Sequence, residues 1–158
     1  MERLYRQRME YVGGPPADGC FLCGAAKSQD SAADLVLKSE PLVCAVLNKF
    51  PYNSGHVLVA PTRHTPNLED LTDEETLALM QLVSLSIGVL QNEFKAEGFN
   101  LGANLGEVAG AGVPGHLHLH VVPRWAGDSN FMPVIAGAKV IPESLDETYK
   151  RLKAAFPQ

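Results

Sequence analysis

Three histidines alternate strictly in the run Gly115-His116-Leu-His118-Leu-His120-Val-Val-Pro-Arg124. In an extended strand, side chains two residues apart share a face at about 6.6–6.8 Å. This spacing predicts His116, His118 and His120 along one face, with Leu117, Leu119 and Val121 on the other, where a core would take them. One strand histidine is ordinarily a hydrogen-bonded core or surface residue. Three in register are different, because mutual repulsion and partial burial hold imidazoles neutral near pH 7 with nitrogens able to attack, donate or ligate. Two chemistries fit: a metal site using His-x-His as paired ligands, or nucleophilic attack by histidine on phosphorus. The segment leading into the ladder, Asn104-Leu-Gly106-Glu-Val-Ala-Gly110-Ala-Gly112, favours the second. Its glycines let backbone N–H groups converge on an anion, and Asn104 adds a side-chain amide.

A second candidate is Cys20-x-x-Cys23. Three cysteines are an odd count for a disulfide framework, so the pair reads as metal or redox chemistry. Cys44 lies in an apolar run and is expected to be an ordinary core residue.

These groups need a scaffold. Residues 1–34, rich in Gly, Pro, Ala, Ser and Asp, are expected to be an irregular arm, and 35–158 a single domain. From Leu35 short apolar runs are bounded by turn residues: residues 35–38, 42–48 and 56–61 are predicted strands. Thr72-Asp-Glu-Glu75 forms a capping box, and Met80, Val83, Ile87, Leu90 and Phe94 recur at helical spacing, predicting a helix from about Asp73 to Glu97 stopped by Gly98. A second stripe, Leu79, Leu82 and Val89, lies beside the first and predicts a helix buried on both sides, against its sheet and a second copy of the chain. Residues 99–106 and 116–124 are two further predicted strands, and Ser144-Leu-Asp-Glu147 opens a C-terminal helix to about Phe156. The sum is an α+β fold with an antiparallel sheet of about five strands, one long helix and a C-terminal helix, expected to be a homodimer.

The bulk numbers set bounds. A 158-residue chain with 46% hydrophobic residues is enough for one core and too short to favour two. A net charge of −5 carries no footprint for nucleic acid or an anionic membrane, so neither is an expected partner. No run approaches the roughly 20 consecutive apolar residues of a membrane span, and the N-terminal residues lack a signal-peptide core, so a cytoplasmic location is expected.

The run from Gly115 to Arg124 resembles the His-φ-His-φ-His-φ-φ signature of the histidine-triad (HIT) family. Asn48 followed by Pro51-Tyr52-x-x-Gly55-His56-Val-Leu-Val-x-Pro61 resembles the family's upstream signature. Pro123-Arg124-Trp125 with Gly127-Asp128-x-Asn130-Phe131 is most similar to the branch that contains diadenosine tetraphosphate phosphorylases. The resemblance implies that His118 attacks the α-phosphorus of an adenosine polyphosphate, that His120 serves the phosphate and leaving group, and that His56 and His116 support them. It implies that Asn48 meets the ribose, that Asn104 and the loop from Gly106 through Gly110 to Gly112 surround the polyphosphate, and that two in-line displacements retain configuration at phosphorus. From residue type, Arg124 is expected to attract an anionic acceptor such as orthophosphate, and Trp125 to stack on a base. The same resemblance implies a structural zinc held by Cys20, Cys23, His64 and His116. One departure stands out: many members carry a glutamine or hydroxyl residue where this chain has Ala111-Gly112-Val113-Pro114-Gly115. Transfer to water, a catalytic metal on the three triad histidines, and nucleotide binding without turnover are the alternative readings.

Overall fold

The computed structural model describes residues 19–129 and 141–157. Five strands, β1 (Val36–Ser39), β2 (Val43–Leu47), β3 (Val57–Pro61), β4 (Gly98–Gly102) and β5 (Leu119–Arg124), form one antiparallel sheet in the order β1-β2-β3-β5-β4. The helices are α1 (Phe21–Ala26), α2 (Asp73–Phe94) and α3 (Leu145–Ala155). This is the α+β architecture expected from the sequence.

Strands β2 and β3 are buried at every position because the sheet is covered on both faces. Val43, Ala45 and Leu47 point towards α2 and α3 and join Val57, Val59, Leu79, Leu82, Val83, Leu90, Val121, Leu152 and Phe156 in the main core. Cys44 and Val46 point the other way, against Leu22 and Ala25 of α1. Cys44 is thus the core residue expected, its thiol pushed up to about 12, chiefly by burial.

Helix α2 begins with the expected capping box: Thr72 Oγ1 accepts from the Glu75 N–H, and Glu75 Oε2 accepts from the Thr72 N–H. Arg63 clamps the same Glu75 carboxylate with two 2.8 Å bonds, tying the end of β3 to the start of the helix. At α3 half of the expected box forms, with Ser144 accepting from the Glu147 N–H. By length and hydropathy α2 would pass for a membrane-spanning helix, but here it packs on the sheet.

Several expectations need correction. The arm is not irregular throughout, since residues 21–26 are helical and bury Leu22 and Ala25 against the sheet. Helix α2 ends at Phe94, three residues early, because Lys95 turns left-handed and the Glu97 N–H binds the Arg124 carbonyl, so that Gly98 opens β4. That strand in turn stops at Gly102, short of 106. Leu82 and Val89 do not face outward: both are buried in this one chain, as is Ser86, whereas Met80 and Leu77 are exposed.

The ladder strand begins at Leu119, not His116. Val59 pairs with Leu119, so continuing the register would bring Pro61 opposite Leu117, and proline has no N–H to give. The Leu117 N–H goes instead to the Thr65 carbonyl at 2.7 Å, and the chain leaves the sheet.

Candidate functional site

Leu119 and Val121 face the helices, which leaves His120 and Val122 on the opposite sheet face, the side that carries α1. His116 separates from the other two triad histidines because residues 116–118 lie off the sheet. His116 turns towards Cys20, Cys23 and His64. His118 and His120 stay together, ring edge to ring face with centroids 5.0 Å apart.

Hydrogen bonds fix a tautomer for each ring. A carbonyl only accepts, so the 2.8 Å contact from His118 Nδ1 to the His116 carbonyl places the proton on Nδ1 and leaves the lone pair on Nε2. Burial depresses the pKa of His118, against the opposing pull of that carbonyl, so the ring is neutral. His56 is held in the opposite sense. Its Nδ1 accepts from the Tyr52 N–H at 3.1 Å and faces the Asn48 amide nitrogen at 3.2 Å, so Nε2 carries the proton and donates to His120 Nδ1 at 3.0 Å. Burial, then the neighbouring His120 and His118, pushes His56 down to about 3. His120 consequently bears its proton on Nε2, as a donor beside the lone pair of His118. The buried site holds a nucleophilic nitrogen and a hydrogen-bond donor side by side.

Beyond His120 opens a cleft of about 560 Å³ lined by Tyr52, Asn53, Asn100, Asn104, Arg124 and Ser129, among others. His118 is only 5% exposed and lies outside this lining, behind His120. Tyr52 stacks on His120, with ring centroids 5.6 Å apart at 17°.

The other expected site residues are placed as follows. Asn48 is absent from the cleft lining; its Oδ1 accepts from the Phe50 N–H at 2.9 Å and its amide nitrogen faces His56. Asn104 lines the cleft and donates to the Gly110 carbonyl at 3.4 Å. Gly106 and Gly110 both take φ of 82°, which a side chain would strain, so they shape the loop around its single 3₁₀ turn. Gly112 has no positive φ. Arg124 lines the cleft, but its Nε and Nη2 bind Asp128 at 2.6 and 2.8 Å and its Nη1 binds Asn100 at 2.7 Å. Trp125 is anchored by its indole N–H on the Phe94 carbonyl at 3.0 Å and is absent from the lining. Asn130 and Phe131 lie outside the described residues. Sequence reasoning did not assign Tyr52, Asn53, Asn100 or Asp128. The first and last stand inside the quoted motifs, but nothing in spacing alone connects them to the histidines.

Cys20, Cys23, His64 and His116 offer four ligand atoms all within 4.8 Å of one another, the one such cluster among the described residues. Cys20 Sγ and Cys23 Sγ lie 3.2 and 3.5 Å from His116 Nδ1, and Cys23 Sγ lies 3.2 Å from His64 Nδ1. A tetrahedral zinc with two thiolates and two imidazoles spaces its donors by about 3.3–3.8 Å, so the set fits such an ion. His116 Nε2 donates to the Pro61 carbonyl at 2.8 Å, which directs its Nδ1 lone pair at the cysteines, the outer-shell support a ligating histidine needs. The three triad histidines do not assemble into a metal cluster, so the reading of a catalytic ion on them is set aside.

Comparison with known proteins identifies the family. The HIT domain family model matches residues 29–127. An AP-4-A phosphorylase of Mycobacterium tuberculosis is 50% identical over 118 residues, 75% of this chain and 60% of that protein, so the chain spans less than two thirds of that relative. A bis(5'-nucleosyl)-tetraphosphatase (asymmetrical) of Schizosaccharomyces pombe is 40% identical over 87 residues, 55% of this chain and 47% of that one. Among solved structures, a Zn-bound histidine triad family protein from Mycobacterium smegmatis superimposes with a TM-score of 0.68 at 25% identity, covering 87% of this chain and 93% of that chain.

Proposed function

The chain belongs to the HIT family, and from that premise we propose that it cleaves dinucleoside polyphosphates, diadenosine tetraphosphate among them, through a nucleotidyl-His118 intermediate. The observation that carries this reading is the Nδ1 bond of His118 to the His116 carbonyl, which leaves Nε2 unprotonated in a buried site. In the first step Nε2 forms a bond to the α-phosphorus while the P–O bond to the polyphosphate breaks, and the Nε2–H of His120 donates to the oxygens that gain charge. His56, fixed by Tyr52 and Asn48, holds His120 in the tautomer that can donate. In the second step an acceptor oxygen displaces His118 from phosphorus. Asn104 and the loop through Gly106, Gly110 and Gly112 flank the polyphosphate.

The acceptor we propose is orthophosphate, giving ADP and ATP from diadenosine tetraphosphate. Likeness to the mycobacterial phosphorylase supports this, as does the position of Arg124 in the cleft wall. A second reading, transfer to water, draws on the pairing of Arg124 with Asp128, which offsets its charge towards an incoming anion, and on likeness to the fission-yeast tetraphosphatase. The zinc that fits Cys20, Cys23, His64 and His116 would be structural, joining α1 to the sheet and supplying no step of the reaction.

The test is to incubate the protein with diadenosine tetraphosphate with and without millimolar phosphate and to identify products by mass. We expect ADP plus ATP with phosphate, and loss of turnover by about 10³-fold or more in His118→Asn together with loss of the acid-labile adduct. AMP plus ATP at every phosphate concentration would make water the acceptor. Near wild-type turnover in His118→Asn would remove the covalent mechanism.

A further inference from the structure

Asp128 belongs to a motif of the sequence that the mechanism above does not use. Its carboxylate side chain is 9% exposed and saturated with donors from two separate parts of the chain. Oδ2 accepts from Arg124 Nε at 2.6 Å, from Asn53 Nδ2 at 2.8 Å and from the Trp125 N–H at 3.3 Å, and Oδ1 accepts from Arg124 Nη2 at 2.8 Å and Ser129 Oγ at 3.4 Å. Through Arg124 it reaches Asn100 on β4, and Asn53 makes a second bond, 3.0 Å, to the Pro123 carbonyl at the end of β5. The groups gathered in this way, Asn53, Asn100, Arg124 and Ser129, all line the cleft beside His120, whereas Asp128 stands behind it. Asn53 adjoins Tyr52, the residue that stacks on His120 and gives its N–H to His56.

We propose that Asp128 is a positioning residue for the cleft: it clamps the turn carrying Tyr52 and Asn53 to the end of β5 and, through Arg124, to the middle of β4 at Asn100, so that the wall receiving the leaving portion of the polyphosphate substrate and the His56–His120 pair stay in register. Arg124 in this view is also a strut, its Nε and Nη2 turned to Asp128 and its Nη1 to Asn100. The two bonds at Asn53 and the two-pronged Arg124 contact make the clamp geometric, because a carboxylate with a planar guanidinium fixes angle as well as distance. The substrate named here rests on the preceding functional reading.

The test compares wild type with Asp128→Asn, Asp128→Ala, Asn53→Ala and the double variant Asn53→Ala/Asp128→Ala. On diadenosine tetraphosphate, Asp128→Ala should raise KM about tenfold or more and also lower kcat, because the His56–His120 pair shifts, with Asp128→Asn intermediate. The double variant should lose less than the sum of the two single losses, because the Asn53–Asp128 bond they share is lost once. Long-range 1H–15N spectra of the nucleotide-free protein give a readout independent of the reaction: signals of His56 and His120 should shift or broaden in Asp128→Ala, while those of His118, held by the His116 carbonyl, stay in place. An unchanged KM with unchanged His120 signals, or additive losses in the double variant, would overturn the proposal. Should Asp128→Ala not fold, Asp128→Asn and Asn53→Ala carry the same comparison. Absence of turnover in the wild type would count against the substrate, and the histidine spectra would still decide the clamp.

Discussion

At the scale of single residues, the site works by fixing which nitrogen of each imidazole carries the proton. His118 is fixed by a carbonyl and His56 by two donors, so the neutral forms are stabilised by burial and by geometry together. His56 has a pH consequence. Its pKa lies at about 3 in the folded chain against 6.5 for a free imidazole, so the unfolded chain binds a proton that the folded chain refuses. Stability contributed by neutral His56 is therefore complete above pH 6.5 and declines as pH falls towards 3, with a slope of at most about 1.4 kcal/mol per pH unit. Denaturant unfolding of wild type and His56→Gln at matched pH should show the difference between the two curves shrinking below pH 6.5, metal release being common to both. A difference that is constant from pH 7 to pH 4 would mean that His56 protonates in place at little cost. The alternation of His116, His118 and His120 was legible in the sequence because a period of two is a property of the chain itself. Their division between two centres was not, because it depends on Pro61 ending a strand 55 residues earlier in the chain than His116.

Among the elements, the least legible was α1. Six residues containing one cysteine, one glycine and two alanines carry no helical periodicity that composition could reveal, and α1 has no side-chain cap. What orders it is tertiary: Leu22 and Ala25 bury against Cys44, Val46 and Ala60, and its N-cap and first turn supply Cys20 and Cys23 to the four-residue cluster. The long helix was easier, since its capping box and its apolar repeat are local, although its end depended on a bond from Glu97 to β5. If the cluster binds zinc, the metal joins α1 to residues after β3 and before β5, and binding energy becomes folding energy. Protein prepared without chelator should hold about one zinc per chain by elemental analysis. Cys20→Ser or Cys23→Ser should lower Tm more than it lowers the rate per folded molecule. Losing even about 2 kcal/mol of this coupling would lower Tm by about 4–8 °C in a chain of this size. Full stability in both serine variants, or a preparation free of metal, would leave α1 held by Leu22 and Ala25 alone.

For the whole molecule, the two edges of the sheet are treated differently. Along β1, Lys153 of α3 donates to the Leu37 carbonyl and Lys38 donates to the Pro157 carbonyl, so the C-terminal helix guards that side. Strand β4 pairs on one side only, with β5, and among the described residues no other strand lies beyond it. An edge with free N–H and C=O groups and an apolar side chain invites another strand. Leu101, opposite Val121 in the register, faces the helix side of the sheet and is 45% exposed, and on the same side α2 leaves Leu77 and Met80 exposed at 60% and 47%. The sequence pattern pointed to a helix buried on two sides but named the wrong residues, because Leu82 and Val89 are core positions where a charge would unfold the chain without reporting on association. The expectation of a homodimer therefore moves to Leu101 and Met80. Sedimentation at micromolar concentration should give about twice the 17.0 kDa chain mass for wild type and a mass near 17.0 kDa for Leu101→Lys or Met80→Glu, with circular dichroism unchanged. The substitutions place a charge on an edge and a helix face that water already reaches in the single chain, so folding tolerates them and only the paired state loses. Wild type sedimenting as one chain would mean that this apolar edge remains exposed, and both variants would then behave as wild type does.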